Sequence, residues 1–196
     1  MSRRWAAALV GAAVAILALA AWLVWRGAGA NRHAAVQAEH AGAPAAATPA
    51  LAPPPSTPAT LWLPGPEEKI APLTTEVASD SEPLARASAL VAALLAAQPD
   101  PPLAPLFDRP VRLAASVLTP DGVLFVDLRA DDGGAPPASG SALELQRVYA
   151  IVHTVLRNVP DVSHVVLLWN GVQRLSLSGH VDTGHALSLM PALEAR

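Results

Sequence analysis

A run of uncharged residues near the amino end constrains this chain most strongly. Trp5 to Trp25 contains neither a charged residue nor a proline. At about 1.5 Å per residue, these roughly 21 residues would span about 31 Å as a helix, close to the thickness of a bilayer core. Arg3 and Arg4 precede the run, and tryptophan occupies both of its ends, as interfacial aromatic residues do. The pattern predicts a transmembrane signal anchor at 5–25, with residues 1–4 as a cytoplasmic tip.

A cleaved secretory signal is the alternative interpretation of this segment. Ala28, Gly29 and Ala30 have the small-x-small form that signal peptidase recognises. However, the apolar run is longer than the roughly 7–15 residues of a typical signal peptide, which favours an uncleaved anchor. Both interpretations export the rest of the chain, because the positive charges at 1–4 hold the amino end inside. We therefore expect a single membrane pass with an extracytoplasmic carboxyl domain.

Residues 26–59 are rich in alanine and proline and show no periodic apolar pattern. Proline breaks helices, and such a stretch buries too little apolar surface to offset its ordering entropy. The segment is therefore predicted to be a disordered linker between the anchor and a folded domain. His33 and His40 lie in it without neighbouring metal ligands, so both are predicted to be solvated.

From Thr60 onward, apolar residues recur with the spacings of strands and helices. The predicted order is strand 60–63, strand 69–77, helix 81–97, strand 111–117, strand 123–128, helix 141–158, strand 164–169 and strand 172–176. Since hairpins give antiparallel pairing, the order predicts an α+β domain at 60–187, with two helices packed on one face of an antiparallel sheet. Residues 188–196 are predicted to form a C-terminal tail.

Local motifs support individual elements of this order. Thr119-Pro120-Asp121-Gly122 and Asn170-Gly171 are turn sequences, and each predicts a hairpin. Ser141 and Glu144 have the spacing of a capping box, in which each side chain would bond a backbone N–H in the first turn of the second helix.

Composition excludes several classes of function. The chain has no cysteine, which excludes a disulfide scaffold, a thiolate metal site and a cysteine nucleophile. A net charge of -3 with 13 lysines and arginines provides no basic surface for nucleic acid. Phosphate-binding loops, nucleophile elbows and HExxH sequences do not occur. These observations favour a protein that is not an enzyme, and they predict no cofactor.

His180, Asp182 and His185 are the strongest candidates for chemistry. Two imidazoles and a carboxylate so close in sequence could hold zinc with a water in an open position. Their spacing matches no established metal motif, and a solvated segment after the last strand is the simpler interpretation. We therefore predict no catalytic, cofactor-binding or metal-binding residue. A cell-wall hydrolase or metal-dependent enzyme that uses these three residues is the alternative.

Other polar and aromatic residues are weaker candidates. Asp131-Asp132 lacks the later acidic residue of an EF-hand loop and is predicted to be solvated. Asp121 and Asp127 are predicted to lie too far apart to act as glycosidase carboxylates. Trp62 and Trp169 could stack on a sugar or a partner, although packing is their commoner role. No base is predicted next to any of four serines: Ser139, Ser141, Ser176 and Ser178.

Several stretches of the folded part resemble a known bacterial domain. They are Leu61-Trp62-Leu63-Pro64, the Ala/Leu helix after Pro83, the hairpin TPDGVLFVDL at 119–128, the helix ELQRVYAIVHT at 144–154 and the closing stretch 165–179. Together they resemble the GerMN domain of sporulation and spore germination proteins over roughly residues 60–187.

The resemblance implies an exported or membrane-anchored envelope protein of bacteria. It implies a non-catalytic module that scaffolds or binds envelope proteins or peptidoglycan, and it supplies no catalytic residues. Many family members are lipoproteins, but the absence of cysteine excludes lipidation here, so the segment 5–25 would contact the lipid bilayer instead. The expected location is the bacterial inner membrane, with the amino terminus cytoplasmic and the carboxyl domain periplasmic.

Overall fold

A computed structural model of the chain describes residues 55–195. The predicted cytoplasmic tip, the transmembrane anchor at 5–25 and nearly all of the linker at 26–59 lie outside the described residues. Among the helices formed by residues 55–195, none is long and apolar enough to cross a membrane.

Residues 55–195 form six strands, two α-helices and one 3-10 turn. The elements are β1 (Ser56–Pro64), β2 (Ile70–Ala78), α1 (Pro83–Ala96), β3 (Val111–Leu118), β4 (Val123–Ala130), α2 (Ser141–Asn158), β5 (His164–Trp169), β6 (Val172–Gln173) and the 3-10 turn (Pro191–Leu193). The α+β class and both helices are confirmed. The last strand is shorter than the predicted 172–176.

The strands form two sheets where the sequence predicted one antiparallel sheet. β1 and β2 form an antiparallel hairpin, whereas the second sheet has the order β3-β4-β5-β6. In this second sheet β4 and β5 are parallel, because α2 connects them as a crossover and returns the chain to the same end. The prediction of a single antiparallel sheet is therefore wrong. A hairpin turn specifies antiparallel pairing only for the two strands that it joins.

Both helices lie on one face of the four-stranded sheet. Along β4, Leu124, Val126 and Leu128 are fully buried, while the residues between them are partly exposed. α1 contacts β3 and α2 contacts β5, so the helices cover the Leu124 face. The prediction that both helices pack on one face holds for this sheet. In addition, α2 packs against the β1-β2 hairpin.

α2 is the central element of the domain. It is buried almost all round between Glu144 and Val155, although several of its residues there are polar. A helix buried on every side needs neighbours on every side, and α2 contacts β1, β5 and α1. Its buried polar side chains must therefore bond to those neighbours, since an unpaired buried polar group is costly.

Side chains of α2 close the free edge of β1. Asn158 accepts the Thr60 N–H at 3.1 Å through Oδ1 and donates to the Thr60 carbonyl at 2.8 Å through Nδ2. One turn earlier, Thr154 Oγ1 accepts the buried Trp62 N–H at 2.8 Å. The helix therefore takes the place of a neighbouring strand and protects an edge that would otherwise pair with another chain.

Thr154→Val should lower the free energy of unfolding by about 2–3 kcal/mol, because it leaves the Trp62 N–H buried without an acceptor. Thr154→Ser keeps the hydroxyl and loses one methyl group, so about 1 kcal/mol is expected. Urea unfolding of a fragment that begins at residue 55 measures both values. A valine variant as stable as the serine variant would show that this hydrogen bond contributes nothing.

The folded part extends beyond the predicted limits of 60–187. β1 begins at Ser56, and the carboxyl end packs on the domain as far as Ala195. Leu187 exchanges two backbone hydrogen bonds with Val165, at 2.7 and 2.9 Å, and the Ala195 N–H donates to the Ile70 carbonyl at 2.8 Å. Residues placed in a tail at 188–196 therefore contact β2 and α2. The stretch is short and Pro191 interrupts it, so its apolar residues form no helical or strand pattern that the sequence alone reveals.

Candidate partner-binding groove

Within residues 55–195, the outer edge of β3 has no strand beside it, because β3 pairs only with β4. α1 packs against β3, where the Ser88 and Ser116 hydroxyl oxygens lie 2.6 Å apart, and no other part of residues 55–195 forms backbone hydrogen bonds with this edge. A bulge interrupts the ladder between Leu113 and Ala115, and Val117 is 56% exposed. Such an edge has unpaired N–H and C=O groups that can bind an extended peptide.

A groove of about 570 Å³ opens at the amino end of β3. Three elements form it, namely the end of α1 with Leu95, the loop with Phe107, and the start of β3 with Val111 and Leu113. Its volume and mostly apolar lining are typical of a binding pocket. We call this surface, made of residues 92–98, 105–113 and the outer edge of β3 through 118, the β3 groove.

Buried contacts hold the floor of the β3 groove in place. The Phe107 ring packs edge-on against the fully buried Trp169, with centroids 6.4 Å apart. The Arg147 guanidinium carbon lies 5.2 Å from the centre of the same ring, and Arg147 Nε donates to the Leu106 carbonyl at 2.9 Å. Because the floor is already ordered, binding there would cost little conformational entropy.

Arg147 reaches this floor from α2 and is almost completely buried. Burial lowers the pKa of Arg147, and Asp108, 3.6 Å from its Nη2, opposes that shift. An arginine stays protonated in proteins, so a positive charge remains beneath Phe107.

Two arginines form the rim of the β3 groove. Arg109 donates to the Ala135 carbonyl at 2.6 Å and lies 3.5 Å from Asp132, and Arg112 lies 3.7 Å from Asp131. The aspartates predicted to be solvated are thus exposed partners of the rim arginines. Exposed ion pairs contribute only about 0–1 kcal/mol, so the carboxylate of an incoming ligand can replace them.

The predicted candidates for chemistry lie in an exposed loop after β6. His185 Nδ1 is 3.5 Å from Asp182 Oδ2, and both side chains are largely exposed. His180 is also exposed, and its backbone N–H donates to Glu144. In the part of the chain that the structure describes, no group of three or more His, Asp or Glu residues could hold a metal ion.

Glu144 holds this loop from the first turn of α2. It is 1% exposed and accepts hydrogen bonds from the Ser176 hydroxyl at 2.6 Å, the Ser178 N–H at 2.7 Å and the His180 N–H at 2.9 Å. Burial raises the pKa of Glu144, but the hydrogen bonds together outweigh burial and hold this pKa below its usual value. The bonds also end β6 early, because Ser176 and Ser178 turn toward Glu144.

The prediction of a capping box at Ser141 and Glu144 is wrong. Gly140 is the N-cap of α2 and makes no side-chain capping bond, while the Glu144 carboxylate faces the loop. The S-x-x-E spacing is the same in both arrangements. The sequence held no signal for the actual role of Glu144.

The remaining candidates have structural contacts. Trp62 and Trp169 are buried in the core, so neither offers a ring for stacking on a ligand. Asp127, on β4, accepts the N–H of Gly171 in the β5–β6 turn at 2.7 Å. Asp121 lies in the β3–β4 turn, where the Thr119 side chain lowers the pKa of the Asp121 carboxyl group. Three of the four serines form hydrogen bonds with residues far along the chain: Ser176 donates to Glu144, and Ser139 donates to Ser178.

Comparison with known proteins supplies a family and a fold. A family model described as "Germane: Sporulation and spore germination" matches residues 60–175. No curated protein matches the chain.

Solved structures that are similar to this chain include two of GerMN domains. The first GerMN domain of the sporulation protein GerM from Bacillus subtilis shares 13% identity, with 68% of this chain and 96% of that chain covered and a TM-score of 0.52. The tandem GerMN domains of the same protein share 19% identity, with 71% and 48% covered and a TM-score of 0.52. This chain therefore spans about half of the tandem structure, and at these identities the likeness concerns the fold.

Proposed function

Since the chain belongs to the Germane family of sporulation and spore germination domains, we propose that it is a non-catalytic binding module of the bacterial cell envelope. In this proposal the segment 5–25 anchors the chain in the inner membrane, and the linker between this segment and β1, which begins at Ser56, lets the domain reach a partner outside the cytoplasm. The partner is an envelope protein, which the domain captures at the β3 groove.

One observation carries the proposal: an open sheet edge borders an apolar groove whose floor is already ordered. An extended segment that pairs with β3 would place alternate side chains on the same side as Val111 and Leu113. Backbone hydrogen bonds would supply part of the affinity, and the groove would select the side chains.

The rim of the groove defines the chemistry of the partner segment. Exposed aspartates at 3.5 and 3.7 Å are the charged partners of Arg109 and Arg112, and Arg109 also donates to the Ala135 carbonyl. An acidic residue next to the apolar residues of the segment would form closer, bidentate contacts with an arginine. The expected ligand is therefore an extended segment that combines apolar side chains with at least one carboxylate.

Site-specific photo-crosslinking in intact cells tests this function on the full chain. The photoreactive residue replaces Ala92, which is exposed at the β3 groove, or Ala186, an exposed control outside it. We expect crosslinks only from position 92, and we expect the crosslinked partner peptide to be an apolar segment with an acidic residue.

Charge reversal supplies the matched control. Arg112→Glu should reduce the crosslink yield about tenfold or more, the equivalent of at least about 1.4 kcal/mol. Arg174→Glu makes the same charge change at an exposed arginine that does not line the groove, and it should leave the yield unchanged. Equal yields from positions 92 and 186, or equal effects of the two reversals, would contradict binding at the β3 groove.

A further inference from the structure

His153 connects α2 to the end of the chain. Its side chain is completely buried, Nε2 accepts the Met190 N–H at 2.9 Å, and Nδ1 lies 2.9 Å from Glu194 Oε1. An imidazole nitrogen that accepts a hydrogen bond carries no proton. The surroundings therefore specify a neutral ring with its proton on Nδ1, close to Glu194 but poorly aligned for a hydrogen bond with it.

Protonation would break this arrangement at one defined atom. A second proton on Nε2 would face the Met190 N–H, so two donors would oppose each other where water has no access. The Trp62 and Tyr149 rings meet the imidazole edge-on, at 5.6 and 6.2 Å, and leave it fully buried. This repulsion between two donors is therefore removed only if Met190 and the residues around it move away from the ring.

The charged groups around His153 act in opposite directions. Burial lowers the pKa of His153, and the nearby Arg157 adds to that effect, while Glu194 raises it. Glu194 also forms an ion pair with Arg157, which shares its negative charge between two partners. Tyr149 is the other titratable group that faces the ring, and burial raises its pKa, so it stays neutral at physiological pH.

The Met190 contact lies in the middle of the segment that docks on the domain. Leu193, three residues after Met190, is 94% buried. In the same segment, the Ala192 carbonyl accepts a hydrogen bond from Lys69 Nζ at 2.7 Å. The Ala195 N–H reaches the Ile70 carbonyl at the start of β2. Loss of the His153 contact would therefore loosen the whole stretch 188–195 and uncover the edge of β2 at Ile70.

We propose that His153 is a proton-operated latch, which holds residues 188–195 on α2 when it is neutral and releases them when it is protonated. This device is separate from binding at the β3 groove. In the released state the imidazole is solvated and has an ordinary pKa near 6.5, so the released state binds more protons than the docked state. Release is therefore favoured as the pH falls below about 6.5, by up to about tenfold per pH unit.

Amide hydrogen exchange of the full chain in detergent micelles tests the latch. Rates for the Met190 and Ala195 amides, corrected for the intrinsic effect of pH, should rise about tenfold or more between pH 7.5 and pH 5. The amide of Val126, in the buried centre of β4, should remain protected and so separates local release from global unfolding.

Two glutamine variants give the comparison. His153→Gln provides one donor and one acceptor that do not titrate, so its Met190 protection should not depend on pH. His185→Gln removes a largely exposed imidazole and should behave as the wild type does. The latch is disproved if wild-type Met190 protection is constant, if it falls together with that of Val126, or if His153→Gln shows the same loss.

Should His153→Gln fail to fold, NMR titration of the wild-type His153 ring decides the matter. The latch requires the ring to become protonated only below pH 6.5, with loss of Met190 protection over the same pH range. A ring that titrates at or above pH 6.5 while Met190 stays protected would overturn it.

Discussion

Glu144→Ala is expected to lower the free energy of unfolding by about 3–4 kcal/mol at pH 7. The substitution removes the acceptor of the Ser176 hydroxyl and of the Ser178 and His180 N–H groups. Each unpaired buried donor costs about 1–3 kcal/mol, and water reaches some of this loop, so the loss should stay below the sum of the three. Urea unfolding of the fragment that begins at residue 55 measures the change.

Ser141→Ala is the matched control for Glu144→Ala, because a true capping box would need both residues. Since Ser141 makes no capping bond, its replacement should change stability by less than about 0.5 kcal/mol. Equal losses of unfolding free energy in the two variants would indicate that the capping box does form, which would contradict the structure.

The ionisation of Glu144 predicts a pH dependence with a definite sign. Its pKa is lowered in the folded domain, so the unfolded chain binds the proton more tightly. The stabilisation from the carboxylate is therefore complete above the ordinary value of 4.5 and is lost as the pH falls through the lower folded pKa. Glu144→Ala should remove this part of the acid sensitivity.

Deletion of residues 188–196 is expected to lower the free energy of unfolding by about 4 kcal/mol. Exposing the pocket of the buried Leu193 costs about 2 kcal/mol, and losing the hydrogen bonds that the Met190 and Ala195 N–H groups donate costs about 1 kcal/mol each. For a domain of this size the melting temperature should fall by roughly 12–16 °C.

Calorimetry of the truncated fragment measures this shift, and Leu193→Ala serves as its control. That substitution removes only the apolar part and should cost about half as much. If truncation left the melting temperature unchanged, residues 188–196 would be the tail that the sequence alone suggests.

The features that were predicted correctly from the sequence depend on residues that are close to one another along the chain. The hairpins predicted from the turn sequences at 119–122 and 170–171 both occur. Gly122, Asn170 and Gly171 adopt the positive φ angles of 84°, 54° and 75° that these turns need. Both helices also follow from local apolar spacing. The parallel pairing of β4 with β5 depends on residues far apart in the chain, and no local pattern specifies it.

The candidate site was harder to predict for the same reason. Titratable residues that are close in sequence, such as His180 and His185, are natural candidates for a site, but both are exposed in the structure. The β3 groove is made of ordinary residues such as Leu95, Phe107 and Arg112, which come from three separate segments. Similarly, His153 lies among the apolar residues of α2, and its partners at 190–194 are visible only once the chain has folded.

NMR of the isotopically labelled chain, with the crosslinked partner segment added as a peptide, tests the central claim most directly. The account predicts that amides along the outer edge of β3, between Val111 and Leu118, gain exchange protection at alternate positions, and that the Phe107 ring signals shift. Protection that appears instead around residues 172–185, with β3 unchanged, would contradict it.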